Sequence, residues 1–191
     1  MPTATSRRST SRSKPRIHIN PHTPPPRTLI VLIPNHNPAP QGSKELRGFY
    51  THPTTGKKIP YLAESSKRHG PWRDAAARHT VRSRAAVGNP PPMDGVIRAE
   101  VIFTMAPPKN LPNDPAKLQA MYPNTRHYGD GDKLLRSTFD ALQDGGAIVD
   151  DSRIVRIVVD QLFPWHPGAL EAPGAVIRLT RTDLPPEEPS A

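Results

Sequence analysis

Apolar positions along the chain fall into short groups whose spacing switches between strand and helix. Residues 28–33 (Thr-Leu-Ile-Val-Leu-Ile) are an aliphatic run stopped by Pro34, which predicts a buried first strand. Residues 49–51 and 59–62 flank Thr54-Thr55-Gly56-Lys57 and predict a hairpin with a glycine turn, one arm of which Pro60 confines to an edge. From Pro71 onward Trp72, Ala75, Ala76, His79 and Thr80 recur at helical spacing, so a helix is expected to about Ala86, closed by Gly88-Asn89-Pro90. Val96, Ile97, Val101, Ile102 and Phe103 predict another largely buried strand, and the polar connection 106–128 holds a short helix around 115–121. The strongest amphipathic helix is 132–143, with Leu135, Phe139 and Leu142 on one face and Gly145-Gly146 as its stop. Strands at 153–160 and 175–180 complete the order. Strands interleaved with two main helices predict one α/β (α+β) domain, a mixed sheet with both helices packed against it.

Composition sharpens the boundaries. The chain has 191 residues, of which 26 are proline and 35% hydrophobic. So much proline belongs largely in loops and ends, leaving a core of roughly 120 to 150 residues. Residues 1–27, rich in Ser, Thr, Arg and Pro without apolar periodicity, are expected to be a disordered basic arm. The domain is then 28–182, and 183–191 a loose acidic, proline-rich tail.

The net charge of +9 favours polyanionic partners, nucleic acid before anionic membrane. The absence of cysteine excludes disulfides, thiolate zinc sites and cysteine nucleophiles, and fits a reducing cytosol. No apolar segment follows the N-terminal arginines, and the longest aliphatic run is too short to span a bilayer. A soluble, cytoplasmic protein without membrane partners is therefore expected. The eight histidines form no HExxH, no EF-hand loop is present, and Gln41-Gly42-Ser43-Lys44 lacks P-loop spacing.

Chemistry concentrates in Gly129-Asp130-Gly131-Asp132-Lys133-Leu134-Leu135-Arg136 and in Ile148-Val149-Asp150-Asp151-Ser152. Asp130 and Asp132 lie two apart where a loop becomes a helix, so both carboxylates can converge on one cation. Asp132 can also cap that helix, whose dipole favours an ionised carboxylate. If the strand after Asp150-Asp151 returns beside the helix start, a third carboxylate arrives there. Three carboxylates without a soft ligand suit Mg²⁺, which can activate water for attack on a phosphodiester. Taken singly, Asp-Gly-Asp and Asp-Asp-Ser are ordinary turn compositions.

Jointly, the Asp-x-Asp, the following helix with Phe139-Asp140-Ala141-Leu142, the glycine break and the apolar pair before Asp150-Asp151 resemble the RusA family of Holliday junction resolvases. Residues 32–34 through 40–43 and the Trp72 helix are similar to the family's first strand, its exit and a later helix. The resemblance implies a small dimeric, often phage- or prophage-borne nuclease that cuts four-way DNA junctions with Mg²⁺, Mn²⁺ substituting, and needs no small-molecule cofactor. It implies that Asp130, Asp132 and Asp151 hold the metal. Two positions depart from the family pattern: Lys133 stands in place of Asn, and Arg136 in place of a catalytic lysine. Arg136, one turn beyond Asp132, can clamp a phosphate but cannot donate a proton.

Lys44, Arg47, Lys57, Lys58, Lys67, Arg68, Arg73 and Lys133, with Phe49, Tyr50 and Tyr61 among them, are candidate DNA contacts. The functional alternatives are a non-catalytic DNA-binding relative of the same fold and a basic DNA-packaging protein.

Overall fold

In the computed structural model, which describes residues 14–42, 44–64 and 66–184 with the side chains of Lys44 and 62–64 excepted, strand alternation decides which sheet face is covered. β1 (Thr28–Pro34) buries Leu29, Val31 and Ile33 and leaves Ile30 and Leu32 exposed, so the strand expected to be buried is buried on one face only. It pairs antiparallel with β6 (Gly174–Arg181), which pairs antiparallel with β4 (Ile97–Thr104), which pairs parallel with β5 (Ile154–Leu162). The order β1-β6-β4-β5 is the expected mixed sheet.

Ladder rows such as Val31, Ile177 and Val101 put the buried side chains of three strands on one face. There they join residues of α1 (His69–Ala86) and α3 (Gly131–Asp144) in a single apolar cluster. Trp72 is its largest member, edge-on to Phe103, with its indole N–H donating to Thr138 Oγ1 at 3.2 Å. That bond satisfies the polar end of an otherwise apolar side chain. Arg73 straps the same two helices together, reaching Asp144 at 2.6 Å and Asp140 at 3.2 Å. A third, short helix, α2 (Pro115–Gln119), begins where Asp114 accepts the Ala116 N–H.

β5 falls where a strand is predicted, but most of its aliphatic side chains face outward. It lies at the sheet edge, and Val155, Ile157, Val158 and Val159 are 66%, 45%, 39% and 36% exposed. The hairpin of β2 (Lys44–Thr51) and β3 (Lys58–Glu64) is longer than predicted and forms a separate two-stranded sheet.

Of the predicted arm, residues 1–13 lie outside the described residues. Residues 14–27 form neither helix nor strand but are tied to the body. Asn20 N–H donates to the Asn89 carbonyl, Thr23 Oγ1 to that of Gly88, and Lys14 pairs with Asp144 at 2.7 Å. Of the predicted tail, Asp183 is held by Arg181 at 2.7 Å, and residues 185–191 lie outside the described part. No described helix is long and apolar enough to cross a membrane.

Candidate active site

Parallel strands need a long crossover, and the one from β4 to β5 carries the acidic string. α3 begins at the end of the sheet where β4 and β5 both terminate: a Cβ built on Gly131 would lie 3.3 Å from Gln161 Nε2. Pro34 of β1 and Thr104 of β4 both pair with Gly174, so the loop 35–42 starts from the same end. Its Gln41 N–H donates to the Lys133 carbonyl at 3.1 Å. Pro40 closes over Gly129, whose φ of 90° and lack of room for a Cβ (2.7 Å from Pro40 Cγ) both require glycine. The carboxyl ends of parallel strands are where α/β sheets characteristically hold ligands.

Asp130 is the residue that precedes the helix, in extended conformation, and Asp132 lies within its first turn. This corrects the expectation that Asp132 caps. Asp130 makes no side-chain capping bond either, because its carboxylate is taken by Lys133, with Nζ 2.7 Å from Oδ2. The hydrogen bond from Lys133 holds the Asp130 carboxyl below the usual carboxylate range, and Asp130 in turn raises Lys133. Both side chains are exposed, so this is a pair that solvent and ions can open. Arg136 is exposed one turn further along the helix. Beside them opens a cavity of about 600 Å³ lined by Pro40, Gln41, Gly42, Arg126, Gly129, Asp130 and Lys133.

Asp151 stands apart. The 3-10 turn Asp151–Arg153 comes after the far end of α3, and a helix of that length spans about 20 Å. β5 then runs from Ile154 to Gln161 before the chain is again beside Gly131. The strand does return to the helix start, but with its far end rather than with Asp151. Within one chain, therefore, Asp130 and Asp132 flank Gly131 at the start of α3, and Asp151 does not join them. Among the described residues no three His, Cys, Asp or Glu side chains form a metal-holding group. Asp150 Oδ1 accepts the Ser152 N–H at 3.0 Å, and hydrogen bonding to Ser152 keeps its carboxyl low, as befits a turn residue.

The predicted DNA contacts divide. Lys57 and Lys58 are exposed at the hairpin tip, and Arg47 is exposed but paired with Glu45 at 2.9 Å. Lys67 and Arg68 line a second cavity of about 300 Å³ with His36, Asn37, Pro71 and Trp72, and Arg68 donates to the His127 carbonyl. Arg73 is a correction, since two carboxylates inside the fold hold its guanidinium. The side chain of Lys44 lies outside the described part. Two residues that sequence reasoning missed border the site. Arg126 lines the larger cavity, and Gln161, with its Oε1 buried and unpartnered, lies beside Gly131. Arg126 had only its nearness to Asp130 as a signal; Gln161 had none, because strand pairing alone brings it there.

The family model described as endodeoxyribonuclease RusA matches residues 51–179, more than half of the chain and a span that includes Asp130, Asp132, Arg136 and Asp151. No curated protein matches it.

Proposed function

The chain belongs to the RusA family of endodeoxyribonucleases, nucleases that resolve Holliday junctions, and on that premise we propose that it nicks opposed strands of branched DNA as a cation-dependent homodimer. The observation that carries this reading is the placing of Asp130 and Asp132 together at the carboxyl ends of β4 and β5, beside a cavity with Arg126 and Lys133 on its wall.

The donor set suits a hard cation, being all carboxylate oxygen, but one chain supplies only part of it. Asp130 and Asp132, with Asp151 of the partner subunit, would hold Mg²⁺ or Mn²⁺. Such an ion, when bound, activates water and offsets charge on a phosphodiester. The chain's own cations do the rest. Lys133 and Arg126 attract the phosphate to the cavity, and Arg136 provides a fixed charge one turn beyond Asp132.

β5 supports the pairing. A bare aliphatic edge strand invites a partner strand. A twofold axis through Val158 would set Arg156 opposite Asp160 of the partner subunit and Ile157 opposite the partner's Val159, joining two sheets antiparallel. Antiparallel pairing reverses one β5 against the other, so the strand start that follows Asp151 moves toward the partner's Gln161 and Gly131. The same contact thus buries the edge and brings the missing carboxylate to the site.

Incubation with a synthetic four-way junction tests the reading. Paired nicks are expected with Mg²⁺ or Mn²⁺ and none with EDTA. Asp132→Asn should abolish cleavage and leave junction binding intact or tighter, since it removes negative charge near the phosphates. Cleavage by that variant at the wild-type rate would remove Asp132 from the site. The Lys133–Asp130 pair favours a second reading, a non-catalytic DNA-binding relative, which junction binding without nicks at any metal concentration would establish.

A further inference from the structure

The β2–β3 hairpin is built unlike the rest of the fold. Neither strand shares an extensive contact with a helix or with the main sheet. Its aromatic side chains nevertheless emerge on both faces. The register pairs Tyr50 with Ile59 and Gly48 with Tyr61, so the two tyrosines share one face. Phe49 pairs with Pro60 on the opposite face. Phe49, Tyr50 and Tyr61 are 63%, 50% and 56% exposed. An isolated two-stranded hairpin is marginal in water and gains nothing from displaying aromatics to solvent. Between Glu45 and Glu64 there is no acidic residue, while Arg47, Lys57 and Lys58 are cationic.

The hairpin also springs from the rim of the candidate active site. Gly42, just before it, lines the cavity that holds Asp130, and Arg68, just after it, donates to the carbonyl of His127. Phe49 and Tyr50 precede the residues that the family model matches.

We propose that this hairpin is a wedge that enters the branch point of the DNA, stacking unpaired bases on Phe49 from one face and on Tyr50 and Tyr61 from the other. The proposal rests on the reading of the chain as a branched-DNA nuclease and adds how the branch is recognised. Aromatic faces take any base, so the wedge selects for unstacked bases rather than for sequence. Lys57 and Lys58 at its tip meet the converging phosphates. Fully paired duplex offers no open base face, so the contact favours a junction over its arms.

A junction carrying 2-aminopurine either beside the branch-point base, where it loses its stacking neighbour when that base moves onto the wedge, or deep in one arm, bound in EDTA by the full-length protein, provides the test. Wild-type protein should raise fluorescence at the branch point and leave the arm position dark. Phe49→Ala, and Tyr50→Ala with Tyr61→Ala, should each lose that rise and weaken junction binding about tenfold while duplex binding stays within about twofold. Tyr50→Phe with Tyr61→Phe should keep both properties. Melting temperatures should be unchanged, because these side chains stand outside the apolar core. Equal losses on junction and duplex, or a fluorescence rise that survives the alanine variants, overturns the wedge. So does loss of dimer mass in the variants, which would make the hairpin a contact between copies. Wild-type binding without a branch-point rise sinks the wedge alone, whereas no junction binding at all sinks the nuclease reading with it.

Discussion

At the scale of single residues, the Lys133 ammonium sits 2.7 Å from Asp130 Oδ2, so a cation approaching that carboxylate must first displace it. The pair is exposed, and exposed pairs are weak, which makes it a modest competitor rather than a block. Lys133→Asn should therefore lower the half-saturating Mg²⁺ concentration for junction cleavage by about two- to fivefold. A midpoint that stays put or rises would show that Lys133 helps the site rather than competes for it. On the proposed reading Arg136 would have a different task, a fixed charge beside an anionic transition state. Arg136→Ala should slow single-turnover cleavage by about 10²- to 10³-fold, and Arg136→Lys by less than about tenfold. Cleavage by Arg136→Ala at the wild-type rate would make this arginine plain helix surface. The adjacency of Asp130 and Asp132 could be read from their spacing, because two residues apart is local geometry. The engagement of Arg73 could not, since its partners Asp140 and Asp144 lie more than sixty residues away.

Elements were readable where their periodicity is their own property. α3 is amphipathic whatever it packs against, and its predicted span differs from the observed Gly131–Asp144 by one residue at each end. The β strands were readable as strands, but not as inner or outer. An aliphatic run such as β5 looks the same whether both faces are covered by its own chain or by another. Likewise Leu29 and Ile30 in β1 are equally apolar, yet only Leu29 is buried, because the helices cover one face. For the same reason the separation of Asp151 from Asp130 was hidden, being set by which end of β5 meets α3. The twofold through Val158 makes a prediction at this scale. Arg156→Asp and Asp160→Arg should each place like charges opposite one another and weaken self-association about tenfold or more, and the double swap should restore it. Light-scattering masses across a dilution series decide this. Masses indifferent to all three changes would move the pairing away from β5.

For the molecule as a whole, the open sheet edge and the proposed metal site have one remedy on this reading, since a second copy at β5 would cover the first and complete the second. Net charge of +9 opposes that association at long range, while salt and bound DNA relieve it. Each site in the pair would then draw Asp130 and Asp132 from one chain and Asp151 from the other, which is testable by mixing two inactive proteins. Asp132→Asn and Asp151→Asn homodimers should both be dead. In a mixed dimer both substitutions fall in the same composite site, and the other site is intact. Random exchange at equal amounts makes half the dimers mixed, so roughly a quarter of wild-type sites should reappear. Each mixed dimer holds one working site, so the recovered activity should appear as single nicks in the junction rather than paired ones. If instead every site is assembled within one chain, each chain of the mixture carries a lesion and no activity returns. Recovery of paired nicks, or none at all after exchange is verified by mass, would exclude the shared site.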